Sequence, residues 1–366
     1  MKRLTLLFAM ALLLSLGCTK EKVDERSIVM FMIGDVKKND AAAQIGDLVK
    51  EKDIIQTGVD SFCDIKIGES LVRVKQSTKV LMAALVKKGA MENTTIDLSS
   101  GKMLCKPKKL LRSESFLIKT PTSVAGVRGT QFTVEADANG TSRIKVFEGR
   151  VKVVKRIKNF DGSIDKILNE APEINHNEKV TITKQDIEKT EKLVNKIIEA
   201  EPGRGEEAAL DAVIRSVGND IFAVRNDVRK FSVEDYAQDN KEIIEIKEKS
   251  PEVIKKINKA IKLEKETPKP NGRLLVTRYE VYFIKDGKVE WEGAVVDEPI
   301  KVNDRLYIAS GDYIFCSSID GPVLWRKKLG NEGKLLIRNN RLVVPSQEGE
   351  IQLDLNTGEK QQFKSN

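Results

Sequence analysis

A single histidine, His176, stands in 366 residues, aromatic side chains make up only 5%, and cysteine occurs four times. One histidine cannot form a His pair, and no cysteine lies at metal-ligand spacing from it, so the common transition-metal sites have no donor set. Neither a Gly-x4-Gly-Lys-Ser/Thr loop to cradle phosphates nor a Gly-x-Ser-x-Gly elbow to present a nucleophile occurs. No cofactor is implied, and no residue is nominated as catalytic. His176, within Glu173-Ile174-Asn175-His176-Asn177, reads as a turn histidine. Acidic pairs such as Glu206-Glu207 read as helix starts, where carboxylates complement the backbone dipole. A run of about 20 apolar residues, the length that spans a bilayer, is also lacking.

The longest apolar run, Leu4 to Leu14, follows Lys2 and Arg3 and leads into Ser15-Leu16-Gly17-Cys18. A positive head, a short apolar middle and a small residue before a cut make residues 1–17 a signal peptide. Gly17-Cys18 resembles a lipobox, which implies cleavage before Cys18 and lipid on its sulfur. Ser15 stands where the commonest lipobox has Leu, a looseness that resembles spirochaete lipoproteins. Residues 18–27 then form a tether, and diacylation with an N-acyl chain supplies the several chains that stable anchoring takes. Thr19 and Lys20 differ from the Asp that resembles an inner-membrane retention signal, so the expected site is the outer membrane of the cell envelope.

The other cysteines, Cys63, Cys105 and Cys316, are odd in number and allow at most one internal disulfide. They read as small buried residues, with a Cys63–Cys105 bridge as the alternative. The formal charge of +8 includes the clusters Lys106-Pro107-Lys108-Lys109 and Lys152-Val153-Val154-Lys155-Arg156. These are a solvated basic face or a surface for anionic headgroups or glycans. Nucleic acid does not suit an exported chain.

From residue 28 to 183 the chain reads as an all-β domain. Short runs such as Ile28-Val29-Met30-Phe31-Met32-Ile33, Leu71-Val72-Arg73-Val74 and Phe132-Thr133-Val134 are separated by turn signals such as Gly34-Asp35 and Asn139-Gly140. Asp64-Ile65-Lys66-Ile67 and Arg143-Ile144-Lys145-Val146 alternate, with one face toward a core and one toward water. Gly126 and Gly129 bracket a turn, and Pro121 pushes Thr120 into an extended conformation. Arg128 either bonds carbonyls across neighbouring turns or contacts an anion on a partner.

Gly46-Asp47 through Lys52-Asp53-Ile54-Ile55-Gln56-Thr57-Gly58, then Thr120-Pro121-Thr122-Ser123-Val124-Ala125-Gly126-Val127-Arg128-Gly129-Thr130-Gln131-Phe132, then Phe147-Glu148-Gly149 and Val151-Lys152-Val153, resemble a FecR domain over roughly residues 28 to 155. The resemblance implies a small β-solenoid or sandwich. FecR domains lie in the periplasm and relay a receptor's state to an inner-membrane regulator. This chain lacks the cytoplasmic tail and transmembrane helix of such a regulator, so the resemblance implies a binding module.

Past Thr183 the period changes to that of helices. Ile187, Thr190, Val194 and Ile197 share one face, as do Leu210, Val213, Val217, Ile221, Val224, Val228 and Phe231. Ser232 starts a third helix and Ser250-Pro251-Glu252 a fourth, giving an amphipathic helical region over 184–266. Thr267-Pro268-Lys269-Pro270-Asn271-Gly272 is a linker, residues 267–272.

In 273–366, Asp286-Gly287 precedes Trp291 by the spacing at which Asp320-Gly321 precedes Trp325, and Asn356-Thr357-Gly358 begins a third copy without its Trp. This resembles the PQQ-like β-propeller repeat, in which turn and Trp lock adjacent blades. The residues suffice for little more than two blades of antiparallel sheet, too few for the closed funnel of a quinone enzyme. Open blades and unpartnered helices are expected to pack as one C-terminal unit, or the blades to join a second chain. The chain therefore reads as mainly β with a helical middle. Its expected function is that of a membrane-anchored, non-catalytic binding or scaffold module with a protein or glycan partner. The alternative is a periplasmic sensor relaying the state of an outer-membrane receptor.

Overall fold

The computed structural model describes residues 27–88, 91–111, 113–127, 129–200, 205–217, 224, 227–232, 249–277, 280–295, 298–318, 321–329, 334–346 and 349–360. Residues 1–26, with the expected signal segment and Cys18, lie outside the described residues, as do Arg128 and the helix expected after Ser232. The protein is mainly β with a few helices, as the sequence implies.

Sixteen strands form one hydrogen-bonded system in two layers. The first sheet runs from Ser27–Ile33 through Phe62–Ile67, Ser70–Val74, the second part of Met91–Lys106, Gln131–Ala136, Ser142–Glu148 and Glu178–Ile182 to Val228–Lys230. The second holds Ala41–Ala42, Val36–Lys38, Ile54–Thr57, Lys79–Lys88, the first part of Met91–Lys106, Ser115–Lys119, Ser123–Val127, Arg150–Lys155 and Glu173–Asn175. Alternation decides which side chains point inward: Ile65, Val72, Met103 and Val134 of one sheet meet Ile55, Val80, Ile96 and Val124 of the other in a single core. This is the sandwich form of the two expected.

The two sheets share the 16-residue strand Met91–Lys106, which is long enough, at about 3.3 Å per residue, to serve both. Residues 93–97 pair in parallel with 115–119, while 101–105 pair antiparallel with 132–136. The change of sheet comes beside Gly101. Its φ is +97°, and a Cβ there would lie 2.5 Å from the Thr78 Cα, while the Lys102 N–H donates to Thr78 Oγ1 at 3.0 Å. Only glycine fits both the dihedral and the space.

Among the described residues are four α-helices: α1 (Ile164–Asn169), α2 (Lys184–Ala200), α3 (Glu206–Val217) and α4 (Pro251–Glu266). The Thr183 amide and hydroxyl both donate to the Asp186 carboxylate, and the Asp186 amide donates back to the hydroxyl, so α2 starts immediately after the Glu178–Ile182 strand. That short connection lays α2 on its own sandwich. Ile187 and Val194 of α2 and Leu210 and Val213 of α3 enter the sandwich core, which corrects the expectation that these helices pack with the blades. Val228 and Phe231 also depart from the helical reading. Val228–Lys230 is a strand paired with Glu178–Ile182, and Phe231 meets Phe147 edge-on at 5.1 Å. Helix α4 begins as read, with Ser250 Oγ accepting from the Val253 amide at 3.3 Å and Pro251 in the first turn.

The C-terminal part holds three antiparallel sheets. They comprise Arg273–Val276, Glu280–Lys285 and Lys288–Ala294; then Ile300–Val302, Arg305–Ser310, Tyr313–Ser318 and Val323–Lys328; then Leu336–Arg338, Arg341–Ser346 and Gly349–Asp354. The strand pairs expected at 306–309 with 313–316 and 342–344 with 351–354 are present. Each tryptophan bridges one sheet to the next. Trp291 lies 5.3 Å from both Tyr313 and Phe315, and the Trp325 Nε1–H donates to the Leu355 carbonyl at 3.2 Å while its ring covers Gly358. Replacing Gly101 with Val combines positive-φ strain with overpacking and should cost about 2–6 kcal/mol, measured by urea unfolding of the full chain. An unchanged midpoint would mean that the strand does not turn there.

Candidate functional site

The segment Thr120 to Gly129 crosses from the sandwich interior to its surface. Thr120, Thr122, Ser123 and Ser142 are buried and satisfy one another. Thr120 Oγ1 lies 2.7 Å from both Ser123 Oγ and Ser142 Oγ, and Thr122 Oγ1 lies 2.5 Å from Ser142 Oγ. A Thr120–Ser123 turn, closed by the Thr120 amide donating to the Ser123 carbonyl at 2.8 Å, carries Pro121 at its exposed tip. Among the described residues, a guanidinium that bonds a carbonyl of this turn is that of Arg156. Its Nη1 donates to Thr120 O at 3.0 Å while Nε and Nη2 hold Asp161. Nothing in the local sequence pattern marks Arg156 for that role beyond its place at the end of a strand.

Gly126 and Gly129 do different work from the turn expected of the pair. Gly126 sits inside the Ser123–Val127 strand, where a Cβ would press on Leu168 of α1 at 3.2 Å and Leu117 at 3.4 Å. Gly129 has φ +77°, and a Cβ would come within 2.9 Å of the Lys109 Cα. Both positions therefore admit close approach by a neighbouring segment. Beside them opens a groove of about 740 Å³, with Phe116, Leu117 and Val127 along its floor and Arg150, Lys152 and Asp165 among its polar lining. Arg150 pairs with Glu173 at 2.8 Å, and Lys152 Nζ donates to the Asn169 carbonyl at 2.7 Å. The pKa of Glu114, also lining the groove, is lowered by the Leu111 amide and then by Lys108.

The remaining chemistry-bearing residues lie apart. His176 is an exposed residue of a turn, with Nδ1 2.5 Å from the Phe147 carbonyl. Among the described residues no three His, Cys, Asp or Glu side chains converge as metal ligands. Cys63 and Cys105 are free and buried. The Ser70–Val74 strand runs between them, pairing Val74 with Cys63 and Val72 with Cys105. They are thus two strand spacings apart sideways and two residues apart along the strand, roughly 11–12 Å in all, beyond disulfide reach. Burial pushes both thiols far above their ordinary range and Cys316 up to about 11.

A second polar cluster joins the sandwich to the first C-terminal sheet. Asp64 and Arg73, cross-strand partners on the outer face of the first sheet, form a buried two-pronged pair at 2.6 and 2.8 Å. Nearby, Lys249 is buried with its ammonium 4.1 Å from the Phe31 ring centroid and 2.8 Å from Glu292. Phe31 meets Tyr282 edge-on at 5.8 Å, and the Gly34 amide donates to the Val289 carbonyl at 3.0 Å. Desolvation raises the pKa of Glu292, against the pull of Lys249. Each group of this cluster is engaged within the chain.

Residues 53–152 match the family described as FecR protein. The match lies within the stretch of the sequence resemblance and contains the Thr120–Gly129 segment; it covers less than a third of the chain. No curated protein sequence matches. Among solved structures, two of a candidate anti-sigma factor from Parabacteroides distasonis align at 13% and 12% identity, covering 36% and 45% of this chain with TM-scores of 0.27 and 0.28. The chain spans 54% of the length of the first and 91% of the second. BamB from Moraxella catarrhalis aligns at 12% identity over 87% of this chain and 98% of its own, with a TM-score of 0.15. None of the three carries an argument about fold or partner at these scores.

The thiols supply a direct check. Native protein should leave Cys63, Cys105 and Cys316 unlabelled by maleimide, and denatured, unreduced protein should label all three. Two of them resisting label until reductant is added would establish a bridge.

Proposed function

We propose that the chain is a non-catalytic, sensor-like module of the cell envelope, exported and held on the outer membrane by lipid on Cys18. Its FecR-like sandwich binds a protein partner in the groove along Gly126 and Gly129. One observation carries the reading: the groove is lined by Phe116, Leu117, Gly126, Val127 and Gly129, all from inside the family match. At both glycines the space a Cβ would fill is taken by the chain itself, by Leu168 at Gly126 and Lys109 at Gly129, so the partner rests on the apolar lining beside them. The rim pairs charges of both signs, which suits the mixed surface of a polypeptide. A glycan is the alternative occupant. The sensor reading, in which the partner is an outer-membrane receptor, rests on the family match; the scaffold reading rests on the number of binding-type units in the chain.

The test is cross-linking in intact cells with the natural chain, a Cys18→Ser variant and an Arg150→Glu variant, the last at an exposed position of the groove lining. The natural chain should cross-link to one abundant envelope protein. Cys18→Ser should lose membrane association and palmitate labelling, and Arg150→Glu should lose the cross-link while staying folded and on the membrane. Retention of the cross-link in the Arg150→Glu protein would remove the groove from the account. Capture of saccharide instead of protein would replace the partner class.

A further inference from the structure

The seam between the sandwich and the first C-terminal sheet contains a second concavity, of about 370 Å³, within the size range of small-ligand pockets. Its walls come from four parts of the chain that meet only when it is folded: the Ser27–Ile33 strand, the loop after Ala41–Ala42, helix α4, and the turn and start of Lys288–Ala294. Met32, Ile45, Ile261 and Val289 supply an apolar lining. The charged side chains in the lining are Lys262, Lys265 and Lys288, and no carboxylate is among the lining residues.

The three lysines are not equivalent. Lys288 is fixed at 2.7 Å from Asp35 and 3.5 Å from Glu290. Lys262 has only an exposed, 3.7 Å pair with Glu266. Lys265 has no ion pair among the described residues, and its stem lies over Gly287. A Cβ on Gly287 would come within 2.4 Å of the Lys265 Cγ, and Gly287 has φ +72°. The glycine of the Asp286-Gly287 repeat landmark thus clears the path along which Lys265 crosses the turn. The result is a fixed cation and a second cation with no ion pair among the described residues, both beside an apolar concavity.

We infer that this seam binds a small amphiphilic anion: a short acyl chain bearing a carboxylate or phosphate head. The chain lies on Met32, Ile45, Ile261 and Val289, which gain by leaving water, and the head meets Lys265 and Lys262. Because both units line the pocket, the occupant stabilises their docking by mass action. The inference does not depend on the groove at Gly126.

Calorimetric titration of the full chain decides it, using decanoate and decyl phosphate below their micelle concentrations, decyltrimethylammonium, and inorganic phosphate. Both decyl anions should bind and raise the melting temperature, and their relative affinity identifies the head. The decyl cation and phosphate alone should bind at least tenfold more weakly. Lys265→Glu, at an exposed position, should weaken anion binding at least tenfold, whereas Lys79→Glu, exposed elsewhere on the sandwich, should not. Ile261→Trp, which fills the floor, should abolish binding with the fold retained. Equal binding of the decyl cation, full affinity in Lys265→Glu, or no binding of either anion at millimolar concentration would overturn the inference.

Discussion

Burial of the outer face of the first sheet is the constraint on which the arrangement of this chain depends. A two-layer sandwich needs only its inner faces covered, and the outer face of an antiparallel sheet is commonly left to water. Here Met30, Leu71, Leu104 and Phe147 on that outer face are buried, together with the Asp64–Arg73 pair. What covers them arrives from far along the chain: Phe231 after the last strand of the sheet, and Ile254 on α4. A sheet buried on both sides cannot shed its C-terminal cover without hydrating four large apolar side chains and exposing a charge pair built for a dry site. The helical middle is accordingly divided. Helices α2 and α3 complete the sandwich from within its own core, and α4 fastens the sandwich to the sheets beyond it.

Lys249 is the pin of that fastening. Removing a buried charge from its partner costs more than the pair itself contributes, because the partner is left unpaired in a poorly hydrated site. Lys249 is surrounded by Phe31 from the sandwich and by Tyr282, Glu280 and Glu292 from the first C-terminal sheet, so it contacts both units at once. The linker adds a second restraint. Arg273 pairs with buried Glu264 at 2.8 Å, and its Nη2 donates to the Thr267 carbonyl, so residues 267–272 are drawn into a fixed path between helix and sheet. From there the sheets lock in series through Trp291 and Trp325. The Leu355 carbonyl accepts from Trp325, Tyr307 and Arg305 together.

What the sequence made legible follows from local physics. Alternation identified Ile65, Ile67, Ile144 and Val146 as inward-facing because period two is a property of the strand alone. Ser250-Pro251 marked the start of α4 because capping is decided within one turn. The Asp-Gly and Trp spacing found the sheet-to-sheet contacts because the repeat carries its own packing partner. What was not legible depended on distant segments. Asp64 alternates with apolar residues and so reads as water-facing; Phe231, α4 and the C-terminal sheet make that face interior. Val228 and Phe231 fit a helical stripe as well as a strand, and pairing with Glu178–Ile182 decided between them. At the candidate site, Gly126 was recognisable as a position intolerant of a side chain, but the reason, Leu168 of α1 lying across the strand, comes from 42 residues further on. Arg156 had no local signal for its bond to the Thr120 carbonyl.

Hydrogen exchange of the full chain, compared with a Lys249→Met variant, tests the docking most directly. If Lys249 pins the two units, the variant leaves Glu292 buried and unpaired. Amides of Ser27–Ile33, Pro251–Glu266 and Glu280–Lys285 should then all lose protection by at least roughly tenfold, while Ser123–Val127 on the far sheet stays protected. Faster exchange confined to the residues around position 249, with the strands on either side of the seam unchanged, would show that the two units hold together without that pin.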